Sequence, residues 1–436
     1  MRAVIMLLYS FALTVGLVVS APWWLFRMAT TSRYREGLWE RLGRVPAALI
    51  SAASGRQMVW LHAVSVGEVL AASRLVGELE AALGEGWLVV VSTTTRTGQA
   101  LARERFGAER VFYMPLDFAW AVRRYLRALK PRALVLMESE LWPRMLHECE
   151  RAGVPVAVVN ARVSDRSFAR GTKLRVAWGR ALRKVTLWLA QSEEDARRLV
   201  AMGARAEAVR VGGNLKYDVR APKVSRVAEL IREVAAGRPI VVAGSTVDDR
   251  PASEDQIFMQ GVMGPVWQSF PEALLVLAPR HPERFDEVAE LAKEFGSTIR
   301  ATDLLKREGM TALREKIVVL DTIGDLAAVY GIADAAFVGG SLVKHGGHNP
   351  LEPAQFGVPV VMGPSFENFR DIVSQMHAAN GICIVTDEFE GHEALLNLLG
   401  MRVSDREIGE RGRRVFEEQQ GATKRAVEAI VAMVTP

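Results

Sequence analysis

The sequence predicts an α/β protein made of two doubly wound, Rossmann-like domains that face each other across a cleft, preceded by an apolar N-terminal helix. Short apolar runs alternate with segments of helical periodicity over most of the chain, which is the pattern of buried parallel strands joined by crossover helices. The chain has 436 residues, more than one domain usually contains. Residues 3–26 carry no charged side chain, which sets the N-terminal segment apart from the rest.

The composition excludes several classes of protein. Half of the residues are hydrophobic and 24% are charged, so the chain is too apolar to be disordered. A net charge of +5 over this length is too dilute to indicate a nucleic-acid-binding protein. Cys149 and Cys383 are far apart and form no Cys-x-x-Cys motif. This excludes a disulfide scaffold, a zinc ribbon and an iron–sulfur site, and it suits a reducing compartment.

The N-terminal apolar run is long enough to be a membrane anchor, since a helix needs about 20 residues to cross the hydrocarbon layer. Trp23 and Trp24 lie near its end, where aromatic rings favour the headgroup layer. Arginines then follow at positions 27, 33, 35, 41 and 44. By the positive-inside rule, this places the body of the protein on the cytoplasmic side.

Two other interpretations of this segment are less favoured. A cleavable signal peptide normally has an apolar region of about 7–15 residues before a small-residue cleavage site, whereas this run is longer and large aromatic residues and arginine follow it. A buried core helix is disfavoured by the flanking tryptophans and arginines. We therefore expect a retained anchor over residues 1–27; the sequence leaves open whether it spans the bilayer or lies in one leaflet.

The apolar runs set the expected domain boundaries. The first domain, residues 28–218, has candidate strands at residues 59–63, 88–92, 133–137, 156–160, 187–190 and 208–212. The second domain, residues 219–436, has them at residues 240–244, 273–277, 317–320, 335–339, 360–362 and 382–385. Its last helix is a candidate to cross back to the first domain. Because ligands bind beyond the carboxyl ends of such strands, residues just after each run are candidate site residues.

Glu68 is the first candidate. It follows an apolar strand and the small turn that contains Ser65 and Gly67, at the start of a predicted helix. A carboxylate in a first helical turn is stabilised by the helix dipole, so Glu68 is either an ordinary helix-start acid or a general base directed into the cleft.

Other polar residues follow strands of the same domain. Glu138 and Glu140 come directly after residues 133–137, where burying an acid is costly, so we expect one of them to face a polar ligand or a basic partner. A hydroxyl-rich turn precedes Arg96, and such turns commonly cap helices. Lys216 lies at the domain crossover and is either within reach of an anion or a solvated linker lysine.

The second domain has two comparable turns. Gly244 and Ser245 follow a strand and offer a hydroxyl and backbone amides that can hold an oxyanion. Arg280 and His281 follow another, and the guanidinium suits a phosphate or carboxylate. The alternative for the second turn is a proline-flanked surface loop.

The glycine-rich segment at residues 339–353 is the most specific feature. Gly346 and Gly347 let the backbone approach a ligand closely, and Asn349 and Glu352 lie about one helical turn apart. The carboxylate can bind a ribose diol, while exposed amides at the helix start favour phosphate. His345, His348 and Glu352 could instead be metal ligands, but the glycines favour a nucleotide; a generic glycine-rich loop is the third alternative.

Together these residues resemble the 3-deoxy-D-manno-octulosonic acid (Kdo) transferase family of lipopolysaccharide biosynthesis. The resemblance covers nearly the whole chain, and its motifs occur in the expected order. They are His-Ala-Val-Ser-Val-Gly-Glu from His62, Glu-Ser-Glu-Leu-Trp-Pro from Glu138, Asn160-Ala161-Arg162, Gln191 with Glu193-Glu194-Asp195, Gly213-Asn214-Leu215-Lys216, Ala278-Pro279-Arg280-His281, and Gly346 to Pro353.

The resemblance implies a GT-B glycosyltransferase that is inverting and metal-independent and uses no cofactor. Its donor would be CMP-Kdo, bound by the C-terminal domain, and its acceptor a lipid A precursor (lipid IVA), bound by the N-terminal domain at the inner membrane. By position, Glu68 matches the proton acceptor, and Glu138 and Lys216 match groups that stabilise the transition state. The implied CMP site comprises Pro279, Arg280, Ile323, Gly324, Asp325, Asn349, Pro350, Leu351 and Glu352. Additional candidate site residues, not assigned to one ligand, are Ser65, Gly67, Arg96, Gly244, Ser245, His281, Gly346, Gly347 and His348.

One segment departs from the family pattern. After Gly244-Ser245-Thr246 the family continues with a histidine and an acidic pair, whereas residues 247–251 intervene here, so no ligand contact is inferred from this loop. The alternatives are a GT-B enzyme with another nucleotide sugar, such as a UDP-sugar transferase or epimerase, and a membrane-tethered nucleotide-binding protein without catalysis. A dehydrogenase is disfavoured because no Gly-x-Gly-x-x-Gly follows the first strand.

Overall fold

The computed structural model describes residues 2–31, 35–139, 141–173, 175–218, 225–249, 252–307, 312–400 and 407–435. The chain forms two compact units. Unit 1 comprises Met1–Val219 and Gln420–Pro436, and unit 2 comprises Arg220–Gln419.

Unit 1 is built on a sheet of seven parallel strands in the order β3-β2-β1-β4-β5-β6-β7. The strands are β1 (Gln57–His62), β2 (Trp87–Thr93), β3 (Val111–Tyr113), β4 (Ala133–Met137), β5 (Val156–Ala161), β6 (Leu187–Ala190) and β7 (Val209–Val211). The helices before and between them are α1 (Arg2–Thr30), α2 (Leu38–Arg41), α3 (Ala47–Ala53), α4 (Val66–Leu83), α5 (Arg96–Phe106), α6 (Ala119–Leu129), α7 (Pro143–Ala152), α8 (Asp165–Lys173), α9 (Arg175–Leu182) and α10 (Glu193–Met202).

Unit 2 repeats this plan with a second sheet of seven parallel strands in the order β12-β13-β11-β8-β14-β15-β16. Its strands are β8 (Ile240–Thr246), β11 (Leu274–Pro279), β12 (Thr298–Arg300), β13 (Ile317–Val319), β14 (Ala335–Val338), β15 (Val360–Met362) and β16 (Cys383–Ile384), with an antiparallel hairpin of β9 (Asp248–Asp249) and β10 (Ala252–Ser253). Its helices are α11 (Arg226–Ala235), α12 (Glu254–Ile257), α13 (Gly264–Ser269), α14 (Phe285–Lys293), α15 (Ala301–Leu304), α16 (Leu326–Tyr330), α17 (Leu351–Ala354), α18 (Arg370–Ala378), α19 (Glu388–Gly400) and α20 (Glu407–Glu418). A π-helical turn, Phe258–Met263, joins α12 to α13.

The last helix, α21 (Ala422–Val434), belongs to unit 1. Its buried residues, among them Ile430, join Leu75 of α4 and Val135 of β4 in the core on one face of the first sheet. The buried Asp218 carboxylate accepts the backbone N–H groups of Gly421 and Thr423, which satisfies two donors at the start of this helix.

The apolar runs form strands because both faces of each sheet are covered. In β1, Trp60 contributes to the core on one face and Val59 to the core on the other, and both are fully buried. Five helices begin at a serine or threonine whose side chain accepts a backbone N–H of the first turn, which fixes where the helix begins. These N-cap residues are Ser65, Thr95, Ser192, Ser225 and Ser253.

The predicted α/β class is confirmed, and each predicted apolar run overlaps a strand. Three features were missed. Val111–Tyr113 and Thr298–Arg300 are three-residue strands at the edges of the two sheets. The β9–β10 hairpin lies in the segment that departs from the family pattern.

The N-terminal helix α1 contains one stretch, Tyr9–Arg27, that is long and apolar enough to cross a membrane. Side chains along it are exposed, including Phe11 at 68% and Val19 at 74%. The Tyr9 hydroxyl donates to the Asp117 carboxylate at 2.8 Å, which joins the helix to the rest of unit 1. Arg33 lies outside the described residues.

Arg41, one of the arginines that follow the N-terminal apolar run, makes its contacts within unit 1. Its guanidinium donates to the Thr94 carbonyl and stacks over the Tyr113 ring, 4.5 Å from the ring centroid. Burial lowers the pKa of Arg41 from its ordinary value. Arg41 therefore acts within the fold of unit 1, where it joins α2 to the strand ends.

Candidate functional site

The first candidate site lies where the strand order of unit 1 reverses. β1 and β4 are neighbours, but the chain continues from β1 to β2 on one side and from β4 to β5 on the other. The carboxyl ends of two such strands form the crevice in which doubly wound sheets bind ligands. Glu68 follows β1 and Glu138 follows β4, so both carboxylates belong to this crevice.

Glu68 is held in a capping box at the start of α4. Ser65 is the N-cap, and its hydroxyl oxygen accepts the Glu68 backbone N–H at 3.4 Å. In return, the Glu68 carboxylate accepts the Val64 N–H at 2.8 Å and the Ser65 hydroxyl at 3.1 Å. The side chain is only 8% exposed. Glu68 is therefore a helix-start acid with a fixed orientation, and its position at the crevice also fits a general base.

Glu138 and Lys216 interact electrostatically near the same sheet edge. Glu138 adopts a left-handed backbone conformation with φ 56°, and its N–H donates to the Val159 carbonyl at 2.8 Å. Lys216 lies in a three-ten turn, Leu215–Asp218, and is partly buried. Burial lowers the pKa of Lys216, the Glu138 carboxylate opposes that shift, and the Arg162 guanidinium adds to it. Lys216 is thus paired electrostatically with an acid, unlike a solvated linker lysine. Glu140 lies outside the described residues.

A set of amide side chains holds the turn that carries Lys216. The buried Asn160, with φ 59°, accepts the Leu215 N–H through Oδ1 at 3.1 Å. Asn214 Nδ2 donates to Gln191 Oε1 at 3.2 Å, and Asn214 Oδ1 accepts the Lys216 N–H at 3.0 Å. Asn160 lies near the carboxyl end of β5, Gln191 follows β6 and Asn214 follows β7, so three strand ends fix one lysine. The sequence placed them in motifs but assigned them no role.

Arg96 and His62 also lie near this edge of the sheet. Arg96 begins α5, and its guanidinium forms an exposed salt bridge with Glu36 at 3.0 Å. His62 was assigned no role, yet it is fully buried, with Nδ1 2.9 Å from the Ser92 hydroxyl. Burial lowers the pKa of His62 to about 4, so the ring is neutral at pH 7. A single histidine in an apolar strand carries no periodic signal that would have predicted this contact.

The second candidate site lies at the corresponding point of unit 2, where β8 and β14 are neighbours. The turn after β8 is largely engaged within the protein. The Thr246 hydroxyl donates to Asp255 at 2.5 Å. The Tyr330 hydroxyl is packed against Gly244, so closely that a Cβ at Gly244 would lie only 2.0 Å from it. Ser245 has φ 59° and is partly exposed. The structure thus offers the Ser245 side chain, rather than the whole turn, to a ligand.

Arg280, Asn349 and Glu352 come together at this edge. Arg280 is exposed, its backbone N–H donates to the Thr246 carbonyl at 2.9 Å, and its charge opposes the rise in the pKa of Glu352 that burial causes. Asn349 Nδ2 donates to Glu352 Oε1 at 3.5 Å, the limit of a hydrogen bond. The three side chains therefore form a cationic, amide and carboxylate cluster, which suits a polar anionic ligand.

The start of α17 differs from the expected cluster of exposed amides. The Leu351 N–H donates to Asn349 Oδ1 at 3.2 Å, and the helix has only four residues. Pro350 and Leu351 are buried. Backbone amides at this helix start are therefore a poor candidate for holding phosphate, and Arg280 becomes the stronger one.

The glycine-rich segment before α17 contains two glycines in a left-handed conformation and the partly buried His348. Gly346 and Gly347 have φ of 86° and 70°, conformations that favour glycine. Burial lowers the pKa of His348 to about 4, and the charges of Arg280, His345 and His281 act in the same direction. Among the residues that the structure describes, no group of three or more His, Cys, Asp and Glu side chains could hold a metal ion.

The third segment of the implied nucleotide site follows β13. Ile323 is 82% exposed, and Gly324 has φ 97° with open space where a Cβ would lie. Asp325 accepts the Ser225 hydroxyl through Oδ1 at 2.7 Å. The segment therefore presents an exposed apolar side chain and a glycine, while its acid is engaged with α11.

Comparison with known proteins places the chain in a family. Residues 36–219 match the family model of 3-deoxy-D-manno-octulosonic-acid transferase (Kdo transferase). A 3-deoxy-D-manno-octulosonic acid transferase of Haemophilus influenzae is 34% identical over 410 residues, covering 91% of each chain. The chain belongs to the Kdo transferase family. A Kdo transferase of Bordetella pertussis is also 34% identical, over 97% of this chain and 98% of its own.

Solved structures agree with the fold of this Kdo transferase family member. A UDP-GlcNAc 2-epimerase from Neisseria meningitidis, bound to UDP-GlcNAc, covers 87% of the chain with a TM-score of 0.55 at 11% identity. The Anabaena protein HepE in complex with UDP covers 87% with a TM-score of 0.55 at 14% identity. At these identities the likeness concerns the fold alone, which is the two-domain α/β GT-B class.

Proposed function

We propose that this protein is an inverting glycosyltransferase that moves Kdo from CMP-Kdo to a lipid A precursor, lipid IVA, in lipopolysaccharide biosynthesis. The observation that carries the proposal is 34% identity to Kdo transferases along almost the whole chain. The placement of Glu68, Glu138 and Lys216 after strands of one sheet supports it.

The proposed reaction needs a base in unit 1. The Glu68 carboxylate takes the proton of an acceptor hydroxyl, whose oxygen attacks the anomeric carbon of Kdo. The bond between that carbon and the phosphate oxygen breaks, and CMP leaves with the electron pair. The Lys216 ammonium, held beside Glu138, contributes positive charge while negative charge develops on the departing phosphate.

The proposed nucleotide site is in unit 2. Arg280 supplies a guanidinium for the phosphate, and Glu352 accepts hydrogen bonds from the ribose hydroxyls. CMP leaves as a monophosphate and so offers no diphosphate for a divalent cation to bridge. The site therefore depends on these side chains for its electrostatic stabilisation.

The N-terminal helix suits a lipid acceptor. We infer that Tyr9–Arg27 anchors the protein in the inner membrane with its body on the cytoplasmic side. Trp23 and Trp24 are about half exposed, and the Arg27 guanidinium lies 5.3 Å from the Trp23 ring centroid. An aromatic and basic helix end of this kind is typical of the interface with anionic headgroups.

The direct test is product analysis. Purified full-length protein is incubated with CMP-Kdo and a tetraacylated lipid A precursor, and the products are analysed by mass spectrometry. We expect the acceptor to gain the mass of one or more Kdo residues and free CMP to appear. UDP-N-acetylglucosamine serves as the matched donor control and should give no product.

Two results would contradict the proposal. Transfer from the UDP-sugar but not from CMP-Kdo would indicate a GT-B enzyme with another donor. Tight CMP binding with no transfer to any tested lipid acceptor would favour a tethered nucleotide-binding protein.

A further inference from the structure

A fully buried carboxylate lies at the point where the strand order of unit 2 reverses. Glu254 begins α12, directly after the β9–β10 hairpin, and its exposed fraction is 0%. The neighbouring Asp255 is equally buried but is neutralised by Arg284, whose guanidinium lies 2.6 Å away. Glu254 takes backbone donors instead, so the two adjacent acids have different partners.

Four backbone N–H groups from two loops converge on Glu254. Oε2 accepts the N–H of Val247 at 3.1 Å, after β8, and that of Gly340 at 2.6 Å, after β14. Oε1 accepts the N–H groups of Ser341 at 2.9 Å and Leu342 at 3.0 Å. Burial raises the pKa of Glu254 to about 7, and these four donors oppose the rise. Three successive amides make an anion-binding nest, and here the protein's own carboxylate fills it.

The turn that Glu254 holds supports the glycine-rich segment of the candidate nucleotide site. The Gly340 carbonyl accepts the Gly347 N–H at 2.8 Å, and the Gly339 carbonyl accepts the His348 N–H at 3.1 Å. A Cβ on Gly340 would lie 2.9 Å from the His348 ring, so the two segments are in close contact. Asn349 follows directly. The position of Asn349 and Glu352 therefore depends on the turn at residues 339–342.

We propose that Glu254 is a positioning residue for the nucleotide site: it touches no ligand, but it fixes residues 340–342 and, through them, the segment from His348 to Glu352. The proposal rests on the proposed function. The β9–β10 hairpin precedes α12, and the adjacent acids Glu254 and Asp255 are both fully buried.

The test is Glu254→Gln in the full-length protein. The amide keeps the shape, but its nitrogen cannot accept an N–H, so two loops lose part of their common acceptor. We expect the Kd for CMP, measured by calorimetry, to rise about tenfold, the size of one lost charge-assisted hydrogen bond. We also expect KM for CMP-Kdo to rise with little change in kcat, since Glu68 belongs to unit 1. A purely structural defect would lower the active fraction, and hence apparent kcat, at constant KM.

Asp334→Asn is the matched control. Asp334 accepts the Ile240 N–H through Oδ2 at 3.0 Å, so the variant weakens a comparable contact in unit 2. It lies at the amino end of β8, opposite the candidate site, and should leave CMP affinity unchanged. Equal CMP affinity and KM in Glu254→Gln and wild type would overturn the proposal.

If the glutamine variant cannot be purified, Glu254→Asp provides the test of the proposal. Its shorter carboxylate cannot reach all four N–H groups, so wild-type CMP affinity in that variant would equally overturn the proposal. Failure of the proposed function is distinguishable, because it shows in the wild-type protein, as no transfer from CMP-Kdo or no CMP binding, whereas failure of this proposal shows only in the comparison of the Glu254 variants with a wild type that binds CMP.

Discussion

Replacing Glu68 with glutamine should separate catalysis from stability in unit 1. The contacts of the carboxylate include hydrogen bonds accepted from the Val64 N–H at 2.8 Å and from the Ser65 hydroxyl at 3.1 Å. The glutamine oxygen can keep one of these two, so the variant should lose about 1 kcal/mol of unfolding free energy, the usual size of a helix-cap contribution. A glutamine cannot act as a base at neutral pH. Loss of general-base catalysis typically lowers kcat by about 10²–10⁴-fold, which corresponds to roughly 3–5 kcal/mol of activation free energy.

The chain offers a matched control in Asp195→Asn. Asp195 is 4% exposed, occupies the equivalent capping position at the start of α10, and accepts the Ser192 hydroxyl at 2.7 Å and the Val163 N–H at 2.7 Å. It follows β6 and has no proposed catalytic role. Both variants should therefore lose similar stability in urea unfolding, while only Glu68→Gln loses turnover in the CMP-Kdo assay. A folded Glu68→Gln protein with kcat close to wild type would refute the assignment of Glu68 as the base.

Three further predictions concern the nucleotide site, pH dependence and the C-terminal helix. Arg280→Ala and Glu352→Ala should each reduce the rise in Tm that CMP produces. A ligand at 100 times its Kd stabilises the folded protein by about 2.7 kcal/mol, and weaker binding lowers this value. An undiminished rise in both variants would contradict the assignment of Arg280 and Glu352 to the nucleotide site. The pKa of His62 falls from 6.5 to about 4 on folding, so the unfolded chain binds the extra proton, and stability that is present above pH 6.5 is lost as the pH falls towards 4. At pH 5 the free energy of unfolding should be about 2 kcal/mol lower than above pH 6.5, at 1.36 kcal/mol per pKa unit. In urea unfolding, the free energy of unfolding of His62→Asn should therefore change less with pH than that of wild type, and an equal pH dependence in both proteins would refute the role of His62. Ile430→Ala should destabilise unit 1 by about 2–5 kcal/mol, because Ile430 is fully buried, and a Tm equal to wild type would show that α21 is not packed as described.

The sheets could be predicted because their strands are apolar on both faces. Residues 133–137 were predicted and observed as a strand with the same bounds, and each of its side chains is buried. Val111–Tyr113 is equally buried but was not predicted, whereas the equally short run at residues 360–362 was, so run length alone does not decide whether a strand is recognised. Strand pairing order, and hence the neighbouring position of β1 and β4, depends on contacts distant in sequence that periodicity does not report.

Site residues could be predicted where they directly follow a strand, and could not be predicted where their hydrogen-bond partners are distant in sequence. Glu68 and Glu138 were singled out by position, and their catalytic roles stay predictions. Glu254 was not, because the β9–β10 hairpin separates it from β8 and its partners at residues 340–342 lie more than eighty positions away. His62 was missed because burial, rather than any pattern, determines its protonation.

The return of α21 to unit 1 has a consequence for biosynthesis. The core on the α4 side of the first sheet lacks the part contributed by α21 until residues 422–434, which include Ile430, leave the ribosome. Unit 2 is contiguous in sequence and needs no later segment of the chain to close its own core. The nascent protein therefore completes its two units in the reverse of their order along the chain.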